Sequence, residues 1–182
     1  MGGQIKLTST LGQGSCFTII MPLQETDAPY VEVKNNYEHL RGKNVLIIDD
    51  LEANRKILNA RIKTFGMRST TATSADEALD LLKAHKASNT QFDLIISDHH
   101  MPHKSGADLI VELKQDKQLS QIPIIVLSSG DVSDLRKRLL DLNVEHILNK
   151  PARTDLLLQT LCKALNGCSQ QTNQRLQSLM MT

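Results

Sequence analysis

Five times between residues 43 and 166 a short aliphatic run is followed by a segment whose apolar residues recur every three or four positions. No other feature of the chain constrains its fold as tightly. The runs are "NVLIIDD" (44–50), the weaker "MRSTTAT" (67–73), "FDLIISD" (92–98), "IPIIVLSS" (122–129) and "HILNK" (146–150). Most are continuously apolar rather than alternating, which predicts strands covered on both faces, as in a parallel sheet with helices on either side. Aromatic residues make up only 3% of the chain and Trp is absent, so the core must be aliphatic. The expected fold is α/β: a doubly wound five-stranded parallel sheet in the order 2-1-3-4-5.

The intervening segments read as helices. "EANRKILNARIKTFG" places Leu58, Ile62 and Phe65 at i, i+4 and i+7 and is stopped by Gly66. "SADEALDLLKAH" opens with Ser74 and Glu77, the spacing of a capping box. A third helix from about Gly106 carries Leu109, Ile110 and Leu113 on one face. "DVSDLRKRLLDL" does the same with Leu135, Leu139 and Leu142, and "RTDLLLQTLCKALN" (153–166) supplies the last helix.

In a sheet of this kind, function collects beyond the carboxyl ends of the strands, at the switch point between the first and third. The polar residues sit at those ends. The first strand ends in Asp49 and Asp50, the third in Asp98, the fourth in Ser128 and Ser129, and the fifth in Lys150 and Pro151. Three carboxylates at neighbouring strand ends repel one another and call for a cation. Oxygen ligands with room for water suit Mg²⁺, which commonly bridges a carboxylate to a phosphate. Lys150 and the Ser128 hydroxyl are placed to meet phosphoryl oxygens, and Asp98 to act as the nucleophile.

With 21 basic and 20 acidic residues and a net charge of +1, the chain has no basic footprint for nucleic acid and no cationic helix for a lipid surface. Three cysteines without a Cys-x-x-Cys pair indicate neither a disulfide framework nor a zinc ribbon, and fit a reducing cytosol. A cytoplasmic location is expected for this part of a parent protein whose membrane anchoring is open. Two flanks stand outside the alternation: the polar segment 24–42 and the Gln, Ser and Thr-rich segment 167–182 read as linkers or tail. Residues 1–23 read as two alternating strands around Leu11-Gly12-Gln13-Gly14, a glycine-turn hairpin.

"VLIIDDLEANRKIL", "DLIISDHHMP", "PIIVLSS" and "ILNKPA" resemble the signature segments of response-regulator receiver domains of two-component signalling, whose fold is flavodoxin-like. The resemblance covers about residues 43–166, and several motifs in order and spacing carry it. It implies that Asp49 and Asp50 are the acidic pair for Mg²⁺, that Asp98 is the phosphoacceptor, and that His100 contributes its backbone carbonyl to the metal. Ser128 matches the family's switch hydroxyl and Lys150 its lysine, followed by a cis bond to Pro151. His100 and Gly130 fall where the family tunes dephosphorylation. Ile147 stands where the family usually carries an aromatic residue, so a smaller repacking is expected in place of an aromatic rotation. The implied partners are a histidine kinase dimerisation and phosphotransfer domain, and a histidine phosphotransfer protein.

"MGGQIKLTSTLGQGSCFTIIMPL" is similar to the closing strands of a histidine kinase ATP-binding domain, which implies a hybrid sensor kinase as the parent, with no kinase activity in this fragment. Two alternatives stand beside the phosphoacceptor reading. An interaction-only pseudo-receiver would regulate the kinase without phosphorylation, although complete acidic and lysine positions argue against it. An aspartate-nucleophile phosphatase would carry Asp-x-Asp after its first strand, where this chain has Asp-Asp. The histidines of "HHMPH" invite a transition-metal reading, but adjacent side chains diverge and no partner Cys/His pair follows.

Overall fold

The computed structural model describes residues 2–23, 37–88, 90–130 and 133–165. The expected tail 167–182 and most of the expected linker, 24–36, lie outside them. The chain divides into two units, Met1–Asn35 and Asn36–Thr182. In the first, β1 (Gln4–Thr10) and β2 (Gly14–Ile20) form an antiparallel hairpin. Gly12 and Gly14 take positive φ at its turn, a conformation that side chains with a Cβ resist. The register sets Ile5 opposite Ile19 and Leu7 opposite Phe17, so one face of the ribbon is apolar, and all four side chains are exposed.

The second unit holds the alternation. Its elements are β3 (Asn44–Ile48), α1 (Glu52–Thr64), β4 (Arg68–Ala72), α2 (Ala75–Ala87), β5 (Leu94–Asp98), α3 (Gly106–Gln115), β6 (Ile124–Ser128), α4 (Ser133–Asp141), β7 (His146–Asn149) and α5 (Thr154–Ala164). All five strands are parallel, in the order β4-β3-β5-β6-β7, which is the expected 2-1-3-4-5. The pleat sends successive residues to opposite faces. Leu46, Ile48, Ile95 and Val126 pack with Leu79 and Leu82 of α2, Leu109, Ile110 and Leu113 of α3, and Leu135 and Leu139 of α4. Val45, Ile47, Ile96 and Leu127 pack on the other side with Leu58 and Ile62 of α1 and Leu157 and Leu161 of α5. Each fully buried Leu or Ile contributes about 1.5–3 kcal/mol relative to exposure, so covering both faces stabilises a chain almost without aromatics. The chain enters this core before β3: Glu38–Leu40 form a 3-10 turn, Leu40 is fully buried, and the Tyr37 ring meets Phe65 edge-on.

Helix capping departs from the sequence expectation in an instructive way. Ser74 does cap α2 by accepting from the Glu77 amide, but the Glu77 carboxylate reaches past it to the Thr73 amide at 2.7 Å. The reciprocal box occurs instead at α3, where Ser105 and Asp108 bond to each other's backbone amides. It was not foreseen because Asp, rather than the usual Glu or Gln, stands at the third helical position.

Two contacts yield direct predictions. A Cβ on Gly106 would lie 2.4 Å from the Asp98 carbonyl oxygen, so the first residue of α3 must be glycine for the helix to approach the end of β5. Gly106→Ala is expected to cost about 1–3 kcal/mol as an overpacking substitution, read by urea unfolding. An unchanged midpoint would contradict the approach. At the opposite end of the sheet, Asp116 accepts from Lys86 at 2.7 Å and from the amides of Gln118 and Leu119. The Lys86 hydrogen bond, followed by those amides, lowers the Asp116 carboxyl to about 2. A lowered carboxylate stabilises the fold above its ordinary value near 3.8, and that contribution disappears as pH falls through about 2. Carboxyl NMR titration is expected to place Asp116 there, and Lys86→Ala to raise its midpoint.

Candidate functional site: an acidic cluster bridged by a lysine

Parallel strands deliver their last residues to one edge. Asp98 ends β5, Asp49 and Asp50 follow β3 directly, Ser128 ends β6, and Lys150 follows β7. Asp49 is fully buried and Asp98 nearly so, at 4% exposure, which is costly for carboxylates unless they are paired. The pairing comes from Lys150. Its Nζ lies 2.7 Å from Asp49 Oδ2 and 2.8 Å from Asp98 Oδ2. Burial by itself lowers the pKa of this ammonium, but hydrogen bonds to Asp49 and Asp98, together with their charge, outweigh it and hold the lysine raised. The Lys150 amide donates to the Ser128 carbonyl at 2.8 Å, and the Lys150-Pro151 bond is cis, as expected.

The two buried carboxylates differ in how fully they are bonded. Asp49 Oδ1 accepts from the Leu51 amide at 2.9 Å and from Asn54 Nδ2 at 3.0 Å, while Oδ2 takes Asn54 Nδ2 at 3.1 Å and Lys150. Its lone-pair directions are filled. Asp98 Oδ1, in contrast, is buried with no hydrogen-bond partner among the described residues. A native fold does not ordinarily leave an anionic oxygen enclosed in this way without a ligand to meet it. One carboxylate oxygen from each of Asp49, Asp50 and Asp98 lies within 4.8 Å of the others. This is the one such group of three or more potential ligand side chains among the described residues, and it contains no histidine.

The imidazoles of the neighbouring histidines are not part of that group. The rings of His99 and His100 meet edge-on at 4.6 Å, and His99 Nδ1 is buried without a hydrogen bond. Burial, then the positive charge of His100, lowers the His99 pKa. Ser128 is buried, and among the described residues its hydroxyl accepts a long contact, 3.5 Å, from the Gly130 amide. Ile147 pairs with Val126 and packs, half-buried, on the core cluster that includes Leu135 and Leu139 of α4.

Asn54 and Arg55 belong to this site and were not singled out from the sequence. Asn54 bridges both oxygens of Asp49, and Arg55 Nη1 donates to the carbonyls of Asp49 at 2.5 Å and Asp50 at 2.8 Å. The available signal was an amide and a guanidinium in the first turn of a helix directly after an acidic pair.

A family model described as the response regulator receiver domain matches residues 45–162. The chain belongs to the response regulator receiver family. The rice (Oryza sativa subsp. japonica) two-component response regulator ORR6 is 34% identical over 110 residues, which are 60% of this chain and 64% of that protein. This receiver chain therefore spans less than two thirds of that relative's length. Sensor protein EvgS of Escherichia coli O157:H7 is 30% identical over 161 residues, 86% of this chain but 13% of EvgS, a match longer than the whole family region. The solved structure of the Vibrio cholerae chemotaxis protein CheY4 superposes with a TM-score of 0.61 at 27% identity, covering 68% of this chain and 99% of that one. The receiver fold and a role in two-component signalling follow. Among the described residues no helix is long and apolar enough to cross a membrane.

Proposed function

We propose that this receiver takes a phosphoryl group from a phosphohistidine onto Asp98, with Mg²⁺ as cofactor, and relays or switches a signal thereby. The observation that carries the reading is Asp98 itself: one carboxylate oxygen is tied to Lys150 and the other is buried, unbonded and beside two further acids.

The donor set fits the ion. It is all oxygen and it leaves the acidic charge only partly neutralised by Lys150, which suits a hard divalent cation that retains water. Asp50, Asp98 and the His100 backbone carbonyl would hold it directly, and Asp49, whose oxygens already accept from Leu51, Asn54 and Lys150, would meet it through water that the ion retains. Bound there, Mg²⁺ supplies charge neutralisation at the phosphoryl oxygens. The chain does the rest. An oxygen of Asp98 attacks phosphorus, the P–N bond to the donor imidazole breaks, and the imidazole leaves with the bonding pair and takes up a proton. Lys150, released from Asp98 as that carboxylate becomes an acyl phosphate, follows the charge onto a phosphoryl oxygen. Ser128, buried at the end of the adjacent strand and holding a long 3.5 Å contact among the described residues, donates to another and draws the end of β6 with it. Ile147 repacks against α4 in that movement.

The hybrid sensor kinase parent is part of the same proposal. The long EvgS match and the exposed apolar face of the β1–β2 hairpin support reading residues 1–23 as the closing strands of a kinase ATP-binding domain. The partners are then a kinase phosphotransfer domain and a histidine phosphotransfer protein.

Intact mass after incubation with a small phosphodonor and Mg²⁺ tests the function. The expected result is a single phosphate adduct, stable in acid and labile in base. A folded, Mg²⁺-binding protein that takes up no phosphate from either the small donor or a phosphorylated histidine domain would instead be an interaction-only module.

A further inference from the structure

The first turn of α1 does more than follow the acidic pair. Asn54 presents its side-chain amide to both oxygens of Asp49, at 3.0 and 3.1 Å, so the plane of that carboxylate is pinned from one side while Lys150 holds it from the other. Arg55, the next residue, turns back along the helix and bonds the main-chain carbonyls of Asp49 and Asp50 at 2.5 and 2.8 Å. α1 has no side-chain N-cap of its own; the Leu51 amide at its start is taken by Asp49 Oδ1. Strand end, acidic turn and helix start are thus one hydrogen-bonded unit.

On the basis of the phosphoacceptor reading above, we infer that Asn54 and Arg55 are positioning residues for the metal-binding acids. Asn54 sets the Asp49 carboxylate and Arg55 sets the backbone from which Asp50 projects. Neither side chain is a ligand. Each acts through an acid that bears the charge, as outer groups around metal sites do when they orient the inner ones. An amide serves this purpose better than a second cation. It fills two lone-pair directions of Asp49 without cancelling the negative charge that draws the ion. Removing it frees the carboxylate to follow Lys150, and the acidic cluster loses its fixed geometry.

Mg²⁺ titration calorimetry on the full chain tests this, with the thermal midpoint of each variant as a check on folding. Asn54→Ala places a good helix former on a half-exposed helical turn, so the fold is expected to survive. Its Mg²⁺ affinity is expected to fall about 10-fold or more, the usual effect of losing an outer-shell partner. Arg55→Ala is expected to act in the same direction, with the amide NMR signals of Asp49 and Asp50 broadened or shifted in the absence of Mg²⁺. Asp50→Asn is the control that separates the two levels of the argument. If wild type binds no Mg²⁺, or Asp50→Asn binds it as well as wild type, the metal site falls and the inference with it. If Asp50→Asn abolishes binding while Asn54→Ala leaves the affinity within twofold of wild type, or tightens it, the metal site stands and the positioning role is wrong.

Discussion

Asp98→Ala is expected to abolish the phosphate adduct completely, with at least a 100-fold loss relative to wild type under conditions that give full modification of the latter. The reason is chemical rather than structural. Covalent transfer needs an oxygen nucleophile whose attack is not already blocked by protein donors, and Asp98 has one oxygen buried without a partner. Asp49, held by Leu51, Asn54 and Lys150, has no such oxygen to offer. Asp50 flanks the cluster and is expected to remain unmodified. Asp98→Ala also removes one of the two buried acids of the cluster while Lys150 keeps Asp49 as its partner, so the variant is expected to fold at least as stably as wild type in the absence of Mg²⁺. A residual adduct of comparable yield on Asp98→Ala would assign the acceptor elsewhere, and peptide mapping after borohydride trapping would show where.

Lys150→Met is expected to have the second largest effect, on stability and on transfer together. Among the described residues the lysine is the one cation that meets the carboxylate oxygens of Asp49 and Asp98, and it bridges both. Methionine retains the length of the side chain and removes the charge, leaving two buried carboxylates facing each other. Breaking a buried ion pair in this way typically costs about 3–5 kcal/mol. Urea unfolding in EDTA is the measurement. Mg²⁺ is then expected to stabilise Lys150→Met more than it stabilises wild type, because without the ammonium the ion meets an uncompensated cluster and binds the native state more tightly. Equal Mg²⁺ increments for the two proteins would mean that Lys150 and the metal do not share these acids. Transfer is expected to remain slow even at saturating Mg²⁺, since no second positive group meets the phosphoryl oxygens.

Much of this architecture was legible because its signals are local. Continuous aliphatic runs such as Val45 to Ile48 and Ile124 to Leu127 are buried on both faces of the sheet, and helical stripes such as Leu109, Ile110 and Leu113 are fully buried. A polar residue directly after such a run must emerge at the strand end, which brought Asp49, Asp50, Asp98, Ser128 and Lys150 into one candidate site. Capping was read less well. The Ser74 cap depends on residues three apart, whereas the Glu77 bond to Thr73 reflects the path of the preceding chain. The Glu38–Leu40 turn was also hidden, since a single leucine in a polar stretch carries no periodicity, yet it fills a place beside α1 and β3.

By itself the sequence determined the fold class, the strand order and which polar residues lie at the carboxyl edge of the sheet, because burial period and strand-end polarity are written in neighbouring positions. Only the tertiary structure decided how those residues divide the work. Lys150 meets Asp49 across 101 positions of sequence, and no local pattern reports whether a carboxylate so far away has its oxygens filled. Asp49 and Asp98 are the same residue type at adjacent strand ends. The packing of α1, through Asn54 and Leu51, makes one of them a saturated anchor, and it leaves the other with an oxygen open to chemistry.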